Sequence, residues 1–549
     1  MLSTKKFLII DDSDIAISIM RTTLHRANVR NSNIDSTINS HKAIRLLTKH
    51  KYDVVLCDYN MGNHIDGALI FDEIKQRKLI SSDAIFICIT GDNTLKAVTH
   101  LIELEPDDYL LKPYSYFEFI ERIENVIIRK NVLSPLLFAM DNKDYQAALD
   151  LCDRYRNSSP QYLNYLNRIY GDCLLNLKRH QEARLFYEDA CKHTDHVWPN
   201  IGFGQALQEL GEYTKAEDIF RDILVQYPTQ PVARRSLAKG MMMRNQNSEA
   251  LEQFNILHKI NPANPLRELI IANLHAALRE YDKAAFSYQL FITKVIGTNR
   301  YSNSVSVNIS ISLLLASLYT DDKRKREKLI NEARYEINEL KLRMENEQIN
   351  PTEELSLLAG FGVLACMSGD FKRCFIIANK IKRECLPIKD FYTALNIAQL
   401  YAFCGMPDLY EKSILQAKQL CGETEDGVLL QSQIKLLKGC QEEIRQRLNE
   451  GKKFTVSALE HSQNNYADKA INDAYNAFFR APFSFKLCFL ILELMIVDES
   501  PPLNLVENKS IIESCYWVYC NDNRPSKAEK NKADELFNLA MEKGFCRRV

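Results

Sequence analysis

Five alanines, Ala148, Ala183, Ala216, Ala250 and Ala284, recur at separations of 35, 33, 34 and 34 residues, and no other feature constrains the fold of this chain as strongly. A period of that length marks a supersecondary unit copied along the chain, each copy burying its apolar face only against its neighbours. Four residues beyond each alanine stands Cys152, Tyr187, Phe220, Phe254 or Tyr288. Residues at i and i+4 share a helical face, so each unit carries a small-then-large pair on one stripe. Pro160, Pro228 and Pro262 stop that helix twelve residues after the alanine in three of the units. Gly171, Gly204, Ala238 and Ala272 hold the matching small position of the preceding helix, where close packing leaves no space for a larger side chain.

Ahead of residue 129 the pattern is different. Short apolar runs, Phe7 to Ile10, Val54 to Cys57, Ala84 to Ile89 and Tyr109 to Leu111, alternate with amphipathic stretches such as Ile15 to Arg26 and Phe117 to Ile128. Strands alternating with helices of this length make βαβ units, and therefore a parallel sheet with helices on both faces. Ligands of such sheets bind beyond the carboxyl ends of the strands. Asp11 and Asp12 follow the first run, Asp58 ends the run VVLC, Thr90 ends IFICI, and Lys112 follows DYLL. Three carboxylates, a hydroxyl and a lysine thus fall on one edge. An oxygen-rich site of this kind suits Mg²⁺, which takes one or two carboxylates and completes its octahedron with water and phosphate oxygens. Phosphoryl transfer needs an in-line nucleophile, a metal and donors to the equatorial oxygens. Asp58 can supply the nucleophile, Asp12 the principal metal ligand, Asp11 a ligand through water, and Thr90 and Lys112 the donors.

The order Asp-Asp, Asp, Thr, Lys-Pro, with Tyr109 three residues before Lys112, resembles the receiver domain of response regulators over about the first quarter of the chain. The resemblance implies a flavodoxin-like fold with a five-stranded parallel sheet, and a bacterial two-component setting. It further implies that Asp58 accepts phosphate from a histidine kinase or phosphotransfer protein, that Asp11, Asp12 and Asp58 bind the metal, and that the backbone carbonyl of Asn60 completes the set. A cis peptide between Lys112 and Pro113 is implied as well, a bond that only proline makes common. Thr90 and Tyr109 are the switch pair of the resemblance: the hydroxyl senses the phosphate and the tyrosine turns inward, altering the surface around the last strand. This sequence departs from the family at Met61-Gly62, where Met-Pro is usual, and the stretch to Asp66-Gly67 is one residue longer than common.

The alanine period resembles the tetratricopeptide repeat, with GQALQELGEYTKAEDIFRDILVQYP as its clearest copy. The expected organisation is a receiver at 1–128, five such repeats at 129–298, and degenerate helical repeats at 299–549, forming an all-α superhelix. FGVLACMSGDFKRCFIIANK and the segment holding Ala470, Ala474, Ala477 and Pro482 read as degenerate copies, and Lys325 to Met344 and Gln431 to Asn449 as parts of irregular hairpins. Breaks are expected at Arg300 to Ser306 and Gly422 to Gly427. Stacked hairpins present an extended surface suited to a peptide or a partner's helix. Asn200, Gln205 and Asn273 are candidate contacts on the first helices.

A formal net charge of −1 offers no global attraction to nucleic acid or to an anionic membrane. No apolar run reaches the roughly 20 residues that a membrane helix needs, and MLSTKKFLII leads straight into acidic residues, so a cytoplasmic location is expected. The cysteines lack zinc or redox spacing and are expected as core thiols. His193 and His196 have HxxH spacing without a third ligand, and the basic run Lys323 to Lys328 begins a helix; neither points to a site. The expected function is that of a response regulator phosphorylated on Asp58 that controls a partner by protein binding through its repeats. Its only chemistry would be Mg²⁺-dependent self-phosphorylation and dephosphorylation. The alternative makes the helical carboxyl-terminal half a transcriptional regulator or an enzyme of another kind. Self-association through the last receiver helix or through the repeats is left open.

Overall fold

The computed structural model describes residues 2–61, 67–92, 94, 103–262, 264–320, 322–346, 350–384, 386–481, 484–496, 505–521 and 525–546. Two compact units divide the chain, one made of residues 1–267 and 294–301, the other of 268–293 and 302–549.

The first unit opens with an α/β lobe. Its strands are β1 (Phe7–Ile10), β2 (Ile34–Thr37), β3 (Val54–Asp58), β4 (Ile85–Thr90) and β5 (Asp108–Leu111), all parallel in the order β2-β1-β3-β4-β5. Alternation along the strands separates two cores. Leu8, Ile10, Val55, Cys57, Phe86 and Cys88 face helices α2 (Ser40–Lys49) and α3 (Gly67–Arg77). Phe7, Ile9, Val54, Leu56, Ile87 and Ile89 face α1 (Asp14–Arg26) and α4 (Tyr116–Asp141). Strand β2 reads IDST and has no apolar run, because it lies at the sheet edge and buries only its ends. Helix α1 starts where Ser13 accepts a hydrogen bond from the Ala16 amide, and α4 where Ser115 accepts one from Glu118.

Helix α4 does not stop near residue 128. It runs 26 residues through to Asp141, with Pro135 inside it, so the last helix of the lobe is also the first helix of the repeat region. Antiparallel helices follow: α5 (Tyr145–Ser158), α6 (Leu163–Asn176), α7 (His180–His193), α8 (Trp198–Glu209), α9 (Tyr213–Gln226), α10 (Pro231–Met243) and α11 (Asn247–Ile260). The small-then-large stripe is core throughout: the five periodic alanines are fully buried, and Cys152, Tyr187, Phe220, Phe254 and Tyr288 are at most 2% exposed. A Cβ added at Gly171 would run into the Tyr187 ring, and one at Gly204 would come within 2.6 Å of Phe220.

A second periodic device escapes a reading by residue type. Lys143, Lys178, Gly211, Asn245 and Arg279, each five residues before a periodic alanine, have positive φ. The residue after each donates its amide to a carbonyl five back, as Asp144 does to Ala139 and Arg179 to Leu174. This is the helix C-cap in which a left-handed residue satisfies otherwise orphaned carbonyls. Only Gly211 announces it in the sequence.

The second unit is helical throughout its described residues. Its Lys323–Glu345 helix brackets the Lys325 to Met344 segment, and Gln431 to Asn449 lies inside one 37-residue helix, Gly427–Gln463, that packs against the next helix, Ala467–Arg480. Ala470, Ala474 and Ala477 are fully buried; Pro482 lies outside the described residues. Interruptions between helices fall just before Asn303 and between Cys421 and Gly427. Asn273, expected on a binding face, is instead a core residue. It is fully buried, donates to the Tyr392 hydroxyl and Ser432 at 3.0 Å each, and accepts from Tyr288 at 2.9 Å. No helix among the described residues is long and apolar enough to cross a membrane.

Candidate functional site

The sheet register fixes the site. Ile10 pairs with Cys57, Asp58 with Ile89, and Thr90 with Leu111, so Asp11, Asp58, Thr90 and Lys112 emerge together at the carboxyl edge of β1, β3, β4 and β5. One carboxylate oxygen from each of Asp11, Asp12 and Asp58 lies within 4.8 Å of the others. Asp11 is fully buried, Asp58 is 7% exposed, and Asp12 faces solvent. The Lys112 ammonium reaches over them, donating to Asp11 Oδ2 at 2.8 Å and standing 3.5 Å from Asp58 Oδ2. The Ser13 amide donates to the other Asp11 oxygen at 2.9 Å. The Lys112–Pro113 peptide is cis.

One lysine against three carboxylates leaves an excess of negative charge. Burial pushes the Asp58 carboxyl up to about 6; Lys112 pulls the other way, and the charges of Asp11 and Asp12 add to the rise. For Lys112, burial works against the ammonium, but its hydrogen bonds and charge attraction to Asp11 and Asp58 outweigh it and hold the group above its ordinary value. Tyr114, one residue beyond the cis proline and absent from the sequence reading, has its phenol pushed up to about 12 by burial and by the same two carboxylates. Such an oxygen-rich edge has the chemistry to hold a divalent cation, and it sets a buried Asp58 carboxylate oxygen beside an ammonium.

Thr90 is buried with its hydroxyl turned to the next loop, accepting from the Asp92 amide at 3.0 Å. Asn60 is exposed beside the acidic edge. Tyr109 is 42% exposed, with the Arg122 guanidinium 5.7 Å from its ring centre. Residues 62–66, which hold most of the lengthened loop, residue 93 and residues 95–102 lie outside the described residues.

Residues 7–124 match the family model described as the response regulator receiver domain. The amino-terminal lobe is a receiver domain. The probable transcriptional regulator ycf27 of Cyanidium caldarium is 30% identical over 136 residues, 25% of this chain and 51% of that protein. The alkaline phosphatase synthesis transcriptional regulatory protein PhoP of Bacillus subtilis is 24% identical over 131 residues, 24% of this chain and 52% of that protein. The response regulator SaeR of Staphylococcus aureus is 30% identical over 122 residues, 22% and 50% respectively. The chain thus spans about half the length of the curated relatives it matches. Among solved structures, a Francisella response regulator receiver domain covers 23% of this chain and 99% of its own, at 23% identity and a TM-score of 0.20. A tetratricopeptide repeat protein from Parabacteroides merdae covers 57% of this chain and 98% of its own, at 16% identity and a TM-score of 0.28.

Proposed function

We propose that this chain is a two-component response regulator that takes a phosphoryl group on Asp58 and uses it to control protein binding by the helical repeats. The observation that carries this reading is Asp58 itself, buried at the carboxyl edge of the sheet 3.5 Å from Lys112 and grouped with Asp11 and Asp12. The donor would be a phosphohistidine of a histidine kinase or phosphotransfer protein. An Asp58 carboxylate oxygen attacks phosphorus, the phosphorus–nitrogen bond breaks, and the imidazole leaves to take up a proton. Water later attacks the phosphoaspartate, restoring the carboxylate and releasing inorganic phosphate.

The carboxylates of Asp11, Asp12 and Asp58 with the Asn60 carbonyl form an oxygen donor set that fits Mg²⁺, which when bound supplies positive charge against the phosphoryl oxygens. Lys112 donates to one of those oxygens without leaving its hydrogen bond to Asp11. Thr90 reaches another by giving up its contacts with Asp92, and Tyr109 follows into the space that Thr90 leaves. A charge placed at one point is thereby passed to the β5 surface. Regulation of transcription, the role two relatives are named for, belongs to proteins matched over about half their length; here the receiver runs directly into helical repeats.

Incubating the protein with acetyl phosphate and Mg²⁺ tests the first half of the reading: an acid-stable, base-labile phosphate is expected on wild type and absent from Asp58→Ala. Affinity capture with and without beryllofluoride, an acyl-phosphate mimic, tests the second. A partner whose recovery changes only in wild type supports phospho-controlled binding, and equal recoveries overturn it.

A further inference from the structure

In the first unit, the receiver face around β5 lies against the repeats, and the ion pairs across the contact run from receiver carboxylates to arginines. The receiver contributes Asp72, Glu73, Glu103 and Glu105; the repeats and the 294–301 segment answer with Arg168, Arg267 and Arg300. Glu103 Oε1 meets Arg267 at 2.5 Å, and its other oxygen accepts from the Asn261 side chain at 2.9 Å. Glu105 pairs with Arg168, and Asp72 is gripped by two nitrogens of Arg300, one of them at 2.6 Å. Arg267 is the most constrained of these cations. It is 4% exposed, and its Nη1 donates to the backbone carbonyls of Leu257, at 3.0 Å, and Asn261. Two bonds to main chain fix the guanidinium plane and leave its Nη2 aimed at a carboxylate. A fork held this way, in a nearly dry position, requires an anion whichever chain supplies it.

Beside Glu105 a cleft of about 590 Å³ opens, lined from the receiver by Pro106, Tyr109 and Leu111 and from the repeats by Tyr187, Trp198 and Ile201. Its walls are largely apolar and aromatic, with the Arg168 guanidinium and the Asp172 carboxyl also in the lining. Leu111 pairs in register with Thr90, so the cleft begins one strand away from the hydroxyl beside the phosphorylation site. Tyr109, outward here, is part of its wall.

We propose that the repeat face carrying Arg168, Arg267 and the Trp198 cleft is the docking surface for an acidic segment of a partner protein, and that the receiver's own Glu103–Tyr109 segment occupies it as an internal stand-in. The sequence ELEPDDYL at 103–110 then states the recognised chemistry: carboxylates spaced by apolar residues, with an aromatic side chain for the cleft. Release and binding are one competition, because the same guanidinium cannot hold both carboxylates. This inference rests on the reading that Asp58 controls protein binding, and adds to it the surface and the class of ligand.

The test uses the full chain and a fluorescein-labelled peptide ELEPDDYL, with its neutral counterpart QLQPNNYL, followed by fluorescence polarisation. The double variant Glu103→Ala/Glu105→Ala, which empties the surface, is expected to bind the acidic peptide at least tenfold more tightly than wild type and at least tenfold more tightly than it binds the neutral peptide. Adding Arg168→Glu, at a half-exposed position that folding tolerates, is expected to weaken that binding at least tenfold; Arg267→Glu should abolish it if circular dichroism shows the chain folded. Equal affinity for the two peptides, no binding by the double variant, or preference for a random DNA duplex over the acidic peptide would each overturn the proposal. Wild type with Mg²⁺ and beryllofluoride is expected to approach the double variant. If the double variant binds selectively while beryllofluoride leaves wild type unchanged, the docking surface stands and the phospho-control reading falls.

Discussion

Two clusters of carboxylates and cations lie in the first unit, and they are built to opposite ends. At the sheet edge, Asp11, Asp12 and Asp58 share one lysine, and burial first, with the charges of Asp11 and Asp12 adding to it, holds the Asp58 carboxyl above its ordinary value against the pull of Lys112. At the receiver–repeat contact, Glu103 is paired with Arg267, Glu105 with Arg168 and Asp72 with Arg300, one cation to each of these three carboxylates. A cluster with charge left over is poised for a ligand; a cluster with its charges matched is a closed contact, and opens only when something competes for one side. The first suits a phosphoryl acceptor and the second a latch.

The sharpest way to break this comparison is at the acceptor. Asp58→Ala is expected to lose all phosphate incorporation from acetyl phosphate by intact-protein mass spectrometry, and labelling at another residue would dissolve the distinction between the clusters. Next comes Glu103→Ala. Removing one partner of a buried pair costs about 3 kcal/mol at the lower end of the usual range, since Arg267 keeps its main-chain bonds. Hydrogen exchange should therefore report the receiver–repeat contact opening on the order of a hundredfold more often; unchanged protection would show that the contact is not a latch.

A smaller effect of opposite sign is expected from Asp58→Asn without metal. The folded-state carboxyl titrates near 6, above its ordinary value of 3.8, so the cost of keeping it ionised is present above pH 6 and disappears as pH falls toward 4. The variant should resist urea better than wild type by about 1–3 kcal/mol at pH 8, a gain that shrinks at pH 5. A gain independent of pH would place the crowding elsewhere. The smallest effect is Glu105→Ala. Its pair with Arg168 is about half exposed on both sides, and such pairs contribute roughly 0.2–1 kcal/mol. A loss as large as that of Glu103→Ala would mean that exposure does not rank these contacts.

The site and the latch also differ in how far the sequence reveals them. Asp11, Asp58, Thr90 and Lys112 each end or follow a short apolar run, and a parallel sheet brings all strand ends of one sense to one edge, so local pattern was enough to group them. Edge strand β2 stayed hidden because it buries too little to need apolar residues. The repeat alanines were legible for a related reason: the same helix contact recurs every 34 or so residues and accepts only a small side chain. The left-handed turn residues recur just as regularly but vary from Lys to Gly to Asn to Arg, because the two backbone hydrogen bonds of the cap, and not the side chain, hold that conformation.

By itself, then, the sequence determined the alternation of strands and helices, the edge on which the acidic residues meet, and the repeat that builds the helical array, all properties set by neighbours within one turn or one strand. Only the tertiary structure decided that Tyr109 faces outward into a cleft, that Asn273 is core, and that Glu103 finds Arg267 across 164 residues of chain. Single charges carry no period, and their pairing depends on how far each surface is removed from water, a quantity that exists only once the chain has folded.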